Sequence, residues 1–130
     1  MLTLPRLSHL DRDLGVRLYL ATAPADMRKG FDTLAAMVKD LLRADPLSGH
    51  LFLFVSRGKD RLKVLYWDTD GFAIWYKRLE EGTFRVPAAR GPAPSVELKA
   101  SELAMLLEGI DLTSIKRSKR FTPGLQDARK

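Results

Sequence analysis

The apolar positions change period along the chain, and each change marks an element. Val16-Arg17-Leu18-Tyr19-Leu20 alternates and is rich in strand formers, which predicts a first strand over residues 16–20. Pro24, inside the stretch 22–26, breaks it. Phe31, Leu34, Ala35, Val38, Leu41 and Leu42 then recur at helical spacing and predict an amphipathic helix over 30–43. Asp26 or Thr22 is placed to cap the turn that leads into it. Asp45-Pro46-Leu47-Ser48-Gly49 ends the helix, because proline cannot continue it and glycine accepts turn geometry. A β-meander follows, with strands expected over 50–56, 61–68, 72–80 and 83–86 and turns at 57–60, 68–71 and 81–82. Asp68-Thr69-Asp70-Gly71 is a hairpin signal, since Asp-Gly tolerates positive φ at low cost. Residues 87–95 hold three prolines and a glycine and read as a loop. A short helix over 102–107, opened by Ser101 and Glu102 and stopped by Gly109, completes the pattern.

The facing of the central hairpin follows from the period of two, whether its loop has two residues or four. One face carries Arg61, Lys63, Leu65, Trp67, Phe72, Ile74, Tyr76 and Arg78. The other carries Leu62, Val64, Tyr66, Ala73, Trp75, Lys77 and Leu79. The first face is apolar near the turn and basic away from it, with Tyr76 among the cations. Sheets that bind nucleic acid often set phosphate-holding cations beside aromatics that stack on bases. A face packed on helices, with the other solvated, accounts for the same residues. A second cluster, Asp26-Met27-Arg28-Lys29-Gly30-Phe31-Asp32, has two readings as well. Arg28, Lys29 and nearby helix amides could receive a phosphate, or Asp26 caps a turn that Gly30 lets bend tightly.

The 130 residues, 45% hydrophobic, suffice for one domain with one core. The absence of cysteine removes disulfides and thiolate metal sites and suits a reducing compartment. No apolar run approaches the roughly 20 residues that span a bilayer, and the charged, proline-broken start is a poor signal peptide. A cytoplasmic location is expected. Of the net charge of +6, the segment 113–130 holds +5 (Lys116, Arg117, Lys119, Arg120, Arg129 and Lys130 against Asp127), so the body before it is nearly neutral. That segment either grips phosphates, with binding that weakens as salt rises, or is a solvated tail. The expected organisation is a loosely ordered lead-in over 1–15, one domain over 16–112 and a basic, flexible tail over 113–130.

Catalytic chemistry finds little support. Asp26, Asp32, Asp68, Asp70 and Asp111 are the candidate carboxylate ligands of a divalent metal, and no spacing among them is diagnostic of a nuclease. Asp68 and Asp70 fall in a turn, where aspartate is favoured for backbone reasons. His9 and His50 lack metal-ligand spacing. Neither a phosphate-binding G-x-x-x-x-G-K-S/T loop nor a G-x-S-x-G elbow occurs. No enzymatic activity, catalytic residue, metal or cofactor is expected.

Taken in order, the segments Val16 to Asp32, Asp45-Pro-Leu-Ser-Gly-His-Leu-Phe-Leu-Phe54, Trp67-Asp-Thr-Asp-Gly-Phe72, Tyr76-Lys-Arg-Leu-Glu80 and Leu106-Leu-Glu-Gly-Ile-Asp111 resemble the second-frame accessory proteins of the insertion sequence 66 family of bacterial mobile elements. The resemblance covers residues 16–112. It implies a protein encoded beside a separate transposase and assisting transposition, with no assigned catalytic site or cofactor. The family's recurrent residues fall on Asp26 to Asp32, Trp67, Asp68, Asp70, Gly71, Tyr76, Lys77, Arg78 and Glu80.

The expectation is thus an α+β domain: an antiparallel sheet of about four or five strands, one main helix and a short C-terminal helix, the first strand joining the meander in either direction. The function expected is non-catalytic support of transposition through DNA at the element ends, the transposase, or both, with self-association left open. The expected nucleic-acid contacts are Arg28, Lys29, Arg61, Lys63, Trp67, Tyr76, Lys77, Arg78, Lys116, Arg117, Lys119 and Arg120. The alternatives are a module that only docks on the transposase, and a metal-dependent nuclease.

Overall fold

A computed structural model describes residues 15–87 and 91–108. All of the expected lead-in except Gly15, and the whole expected tail, lie outside them, as does the stop expected at Gly109. The elements are β1 (Leu18–Ala21), α1 (Phe31–Asp40), β2 (Leu51–Val55), β3 (Arg61–Asp68), β4 (Gly71–Arg78), β5 (Ser95–Leu98) and α2 (Ala100–Glu108). The strands form one sheet in the order β4-β3-β2-β1-β5. The α+β expectation holds, with five strands, a main helix and a short C-terminal one. The direction of the first strand is now fixed. β1 runs parallel to β2 (Leu18 opposite Leu51) and antiparallel to β5 (Leu18 opposite Leu98), so the sheet is mixed. The crossover between the parallel pair is the segment that contains α1.

Both faces of the sheet are covered. Leu18, Leu20, Leu51, Leu53, Leu62 and Val64 pack with Ala100, Leu103 and Leu106 of α2. Phe52, Phe54 and Leu65 pack with Leu34 and Val38 of α1 on the opposite side. β2 is buried along its whole length, which is why it reads Leu-Phe-Leu-Phe-Val without alternation. Each such side chain contributes about 1.5–3 kcal/mol on leaving water.

Four local expectations are corrected. Residues 83–86 form no strand; Phe84 alone is driven into the core, at 1% exposure, while its N–H donates to the Lys59 carbonyl. The fifth strand comes instead from Ser95–Leu98, at the end of the expected proline-rich loop, where Thr22 binds the Ala93 and Pro94 carbonyls through its hydroxyl and N–H. Helix α1 ends at Asp40, before Pro46 is reached: Arg43 takes φ +56° and the Ala44 N–H reaches back to the Val38 carbonyl. In the β3–β4 turn positive φ falls on Thr69, at +58°, and not on Gly71. The loop has two residues, since Asp68 pairs with Gly71. At α2, Glu102 accepts the Lys99 N–H at 2.7 Å, half of a capping box.

Candidate nucleic-acid interface

The register of β3 with β4 sets Arg61 opposite Arg78, Lys63 opposite Tyr76, Leu65 opposite Ile74 and Trp67 opposite Phe72, the facing that the period of two predicted. The end of this face away from the turn is where the charged groups gather. Lys63 is buried there, at 9% exposure. Its ammonium donates to the Lys29 carbonyl at 2.8 Å and stands 4.9 Å from the centre of the Tyr76 ring. Burial of a charge is tolerated when its donors are engaged, and this contact ties β3 to the turn before α1. Lys63 therefore braces that turn, and its ammonium is committed to the protein.

The turn itself is built by Asp26. Its carboxylate accepts the Arg28 N–H at 2.9 Å and the Arg28 guanidinium at 2.6–3.1 Å. These bonds hold the Asp26 carboxyl well below the usual carboxylate range and raise Arg28. Asp26 thus caps the turn, while the helix itself starts at Gly30 with no side-chain cap. The Lys29 N–H donates to the Asp26 carbonyl, and the Ala25 N–H to that of Val55.

Between this turn and the β2–β3 turn lies an open cleft of about 600 Å³, walled by Pro24 to Arg28 on one side and Ser56, Arg57, Gly58, Asp60 and Arg61 on the other. Ser56 organises the second wall, since its hydroxyl donates to Asp60 and accepts the Arg61 N–H. Arg57 and Arg61 form no ion pair with any described residue, whereas Arg28 is paired with Asp26 and Arg78 with Glu80 at 3.1 Å.

The expected contact residues thus divide. Arg28 and Arg61 line the cleft, and Arg78 faces Arg61 across the strands with the half-exposed Tyr76 beside it. Lys29 contributes its carbonyl to Lys63. Trp67 stands near the hairpin turn, its ring edge-on to Phe72 at 5.2 Å, about 20 Å along the strand from Arg61. Lys77 points to the opposite face, where Trp75 packs against the core. Lys116, Arg117, Lys119 and Arg120 lie outside the described residues. Sequence reasoning missed Arg57, which it read only as part of a turn; the signal was a basic tip, Arg-Gly-Lys, one residue after a wholly apolar strand. Among the described residues no three histidine, aspartate or glutamate side chains converge on a metal position, and no helix is long and apolar enough to cross a membrane.

The chain matches the family model of the IS66 Orf2-like proteins over residues 16–117. It is 38% identical over 103 residues to the uncharacterised protein y4jC of Sinorhizobium fredii, a stretch covering 79% of this chain and 86% of that one. It is 42% identical over 96 residues to the uncharacterised protein y4hO of the same organism, covering 74% and 82%. No solved structure matches. The family match spans every described element from β1 to α2, and the chain belongs to the IS66 Orf2-like family, which associates it with the transposition of an insertion sequence.

Proposed function

We propose that the protein is a non-catalytic, cytoplasmic accessory factor of transposition that binds DNA at the element ends, in concert with the transposase, through the basic end of its sheet. The observation that carries this reading is the direct opposition of Arg61 and Arg78 at the exposed end of one face, beside a cleft that also holds Arg57, which pairs with no described residue. Like charges directly opposite on neighbouring strands repel, and a phosphate bound between them turns that repulsion into attraction. Guanidinium forks match phosphate oxygens in geometry as well as charge. Tyr76 is placed to stack beside them.

The test is a titration of element-end duplex over a salt series, with and without the transposase, using the full chain and a form ending at Leu112. Each duplex phosphate contact adds roughly 0.9 to the slope of log affinity against log salt. The Arg61→Gln/Arg78→Gln variant should therefore lose roughly two units of slope in both forms of the chain. An unchanged slope removes this end of the sheet from the interface. Absent or salt-insensitive binding removes DNA contact altogether. Docking on the transposase without DNA is the second reading, and it draws on Phe31, Leu41 and Leu47, large apolar side chains left about half exposed. Nuclease-resistant co-purification with the transposase, without DNA affinity, supports it.

A further inference from the structure

The two edges of the sheet are built differently. β5 has four residues, carries Glu97 and follows Pro94, the devices by which proteins blunt an edge. β4 has eight residues in unbroken register with β3, contains no proline or bulge, and is uncharged from Gly71 to Tyr76. Among the described residues no strand lies beyond it. The direction of its free hydrogen-bonding groups can be read off. The Leu79 N–H donates to the Asp60 carbonyl, so in the alternating antiparallel pattern the odd-numbered positions bond inward to β3. Phe72, Ile74, Tyr76 and Arg78 accordingly turn their N–H and C=O outward.

We infer that a second copy of this chain pairs with β4, antiparallel about a two-fold axis at Trp75, to make a continuous ten-stranded sheet. This register engages all four outward residues: Ile74 opposite Tyr76 of the partner copy and Phe72 opposite Arg78, each pair formed twice. It also places the only charges of β4, Lys77 and Arg78, opposite Ala73 and Phe72, so no like charges meet and each Arg78 lies against an aromatic ring. Parallel pairing would instead set the cations side by side. The two Trp75 residues meet at the axis as a non-hydrogen-bonded pair, Cα atoms about 4.5 Å apart. An axis perpendicular to the sheet keeps both copies of Arg61 and Arg78 on the same face. The inference stands independently of the DNA reading.

Light scattering on the eluting full chain should give twice 14.6 kDa. Ile74→Pro removes an outward N–H, at a position where an edge strand tolerates proline, and trims a side chain only partly packed on the α1 cluster; it should yield 14.6 kDa with an unchanged circular dichroism spectrum. Ala73→Cys/Lys77→Cys supplies a measurement that does not depend on that variant folding. The chain has no other cysteine, and positions 73 and 77 are about 13 Å apart on one strand, beyond disulfide reach. Mild oxidation should therefore convert the double variant into a covalent dimer. A monomeric wild type, a dimeric folded Ile74→Pro or a double-cysteine variant that stays monomeric each overturns the inference.

Discussion

Replacing Lys63 by methionine isolates the contact that braces the proposed interface. Methionine keeps the stem's length and apolar packing and removes only the ammonium. Two interactions go with it: the bond to the Lys29 carbonyl at 2.8 Å and the stacking over Tyr76 at 4.9 Å. A hydrogen bond from a charged donor contributes about 1.5–3 kcal/mol, and a cation over an aromatic ring about 0.5–1 kcal/mol at a site near the surface. Relief from burying the ammonium opposes both. The expected loss is about 2 kcal/mol, or roughly 10 °C in melting temperature for a domain of this size. Urea denaturation followed by circular dichroism measures it. Tyr76→Leu and the double variant complete a cycle whose coupling energy should be about 0.5–1 kcal/mol, since only the ring interaction is shared. A Lys63→Met protein within about 0.5 kcal/mol of wild type would show that the ammonium braces nothing. The slope of DNA binding against salt should stay nearly constant in Lys63→Met while affinity falls, because the ammonium is committed to Lys29 and not to phosphate.

Two further perturbations address other parts of the fold. Phe84→Ala should cost about 3–5 kcal/mol in the same denaturation assay, although residues 83–86 pair with no strand; a loss below about 1 kcal/mol would show that Phe84 is not part of the core. Asp26→Asn tests the turn before α1 through its pH dependence. The folded carboxyl lies below its ordinary 3.8, so the stability it contributes is fully present above that value and is lost as pH falls beneath it. Wild type should exceed Asp26→Asn in melting temperature by a constant margin at neutral pH, and the margin should close as pH drops below 3.8. A margin that stays as large at pH 2 as at neutral pH contradicts the assignment.

What the sequence disclosed and what it withheld divide along the range of the interactions involved. β3 was read to the residue and the hairpin facing in full, because both depend on alternation and on a turn signal only a few residues long. β5 was missed since four residues after a proline carry almost no local signal. Its strand character comes from pairing with β1, nearly eighty positions away. Residues 83–86 misled for the complementary reason: Thr-Phe-Arg-Val alternates like a strand, and Phe84 and Val86 do pack on the core, yet the segment pairs with no strand. At the candidate site, Arg61, Tyr76 and Arg78 were placed correctly by period alone. The role of Lys63 was illegible, because its partner is a backbone carbonyl 34 residues distant. Arg57 became visible only when the two turns closed a cleft between them.

The position of β1, early in the chain yet flanked on both sides, bears on the order in which the sheet is made. The joints of β2 to β3 and β3 to β4 are short, and such contacts close early because little chain entropy is lost. β1 can dock on β2 once α1 has been synthesised, but its other edge waits for β5. A ribosome that stops before residue 95 releases a chain whose most buried pair of strands is open on one side. Among the described strands the last one translated, β5, is therefore the one that covers the open side of β1.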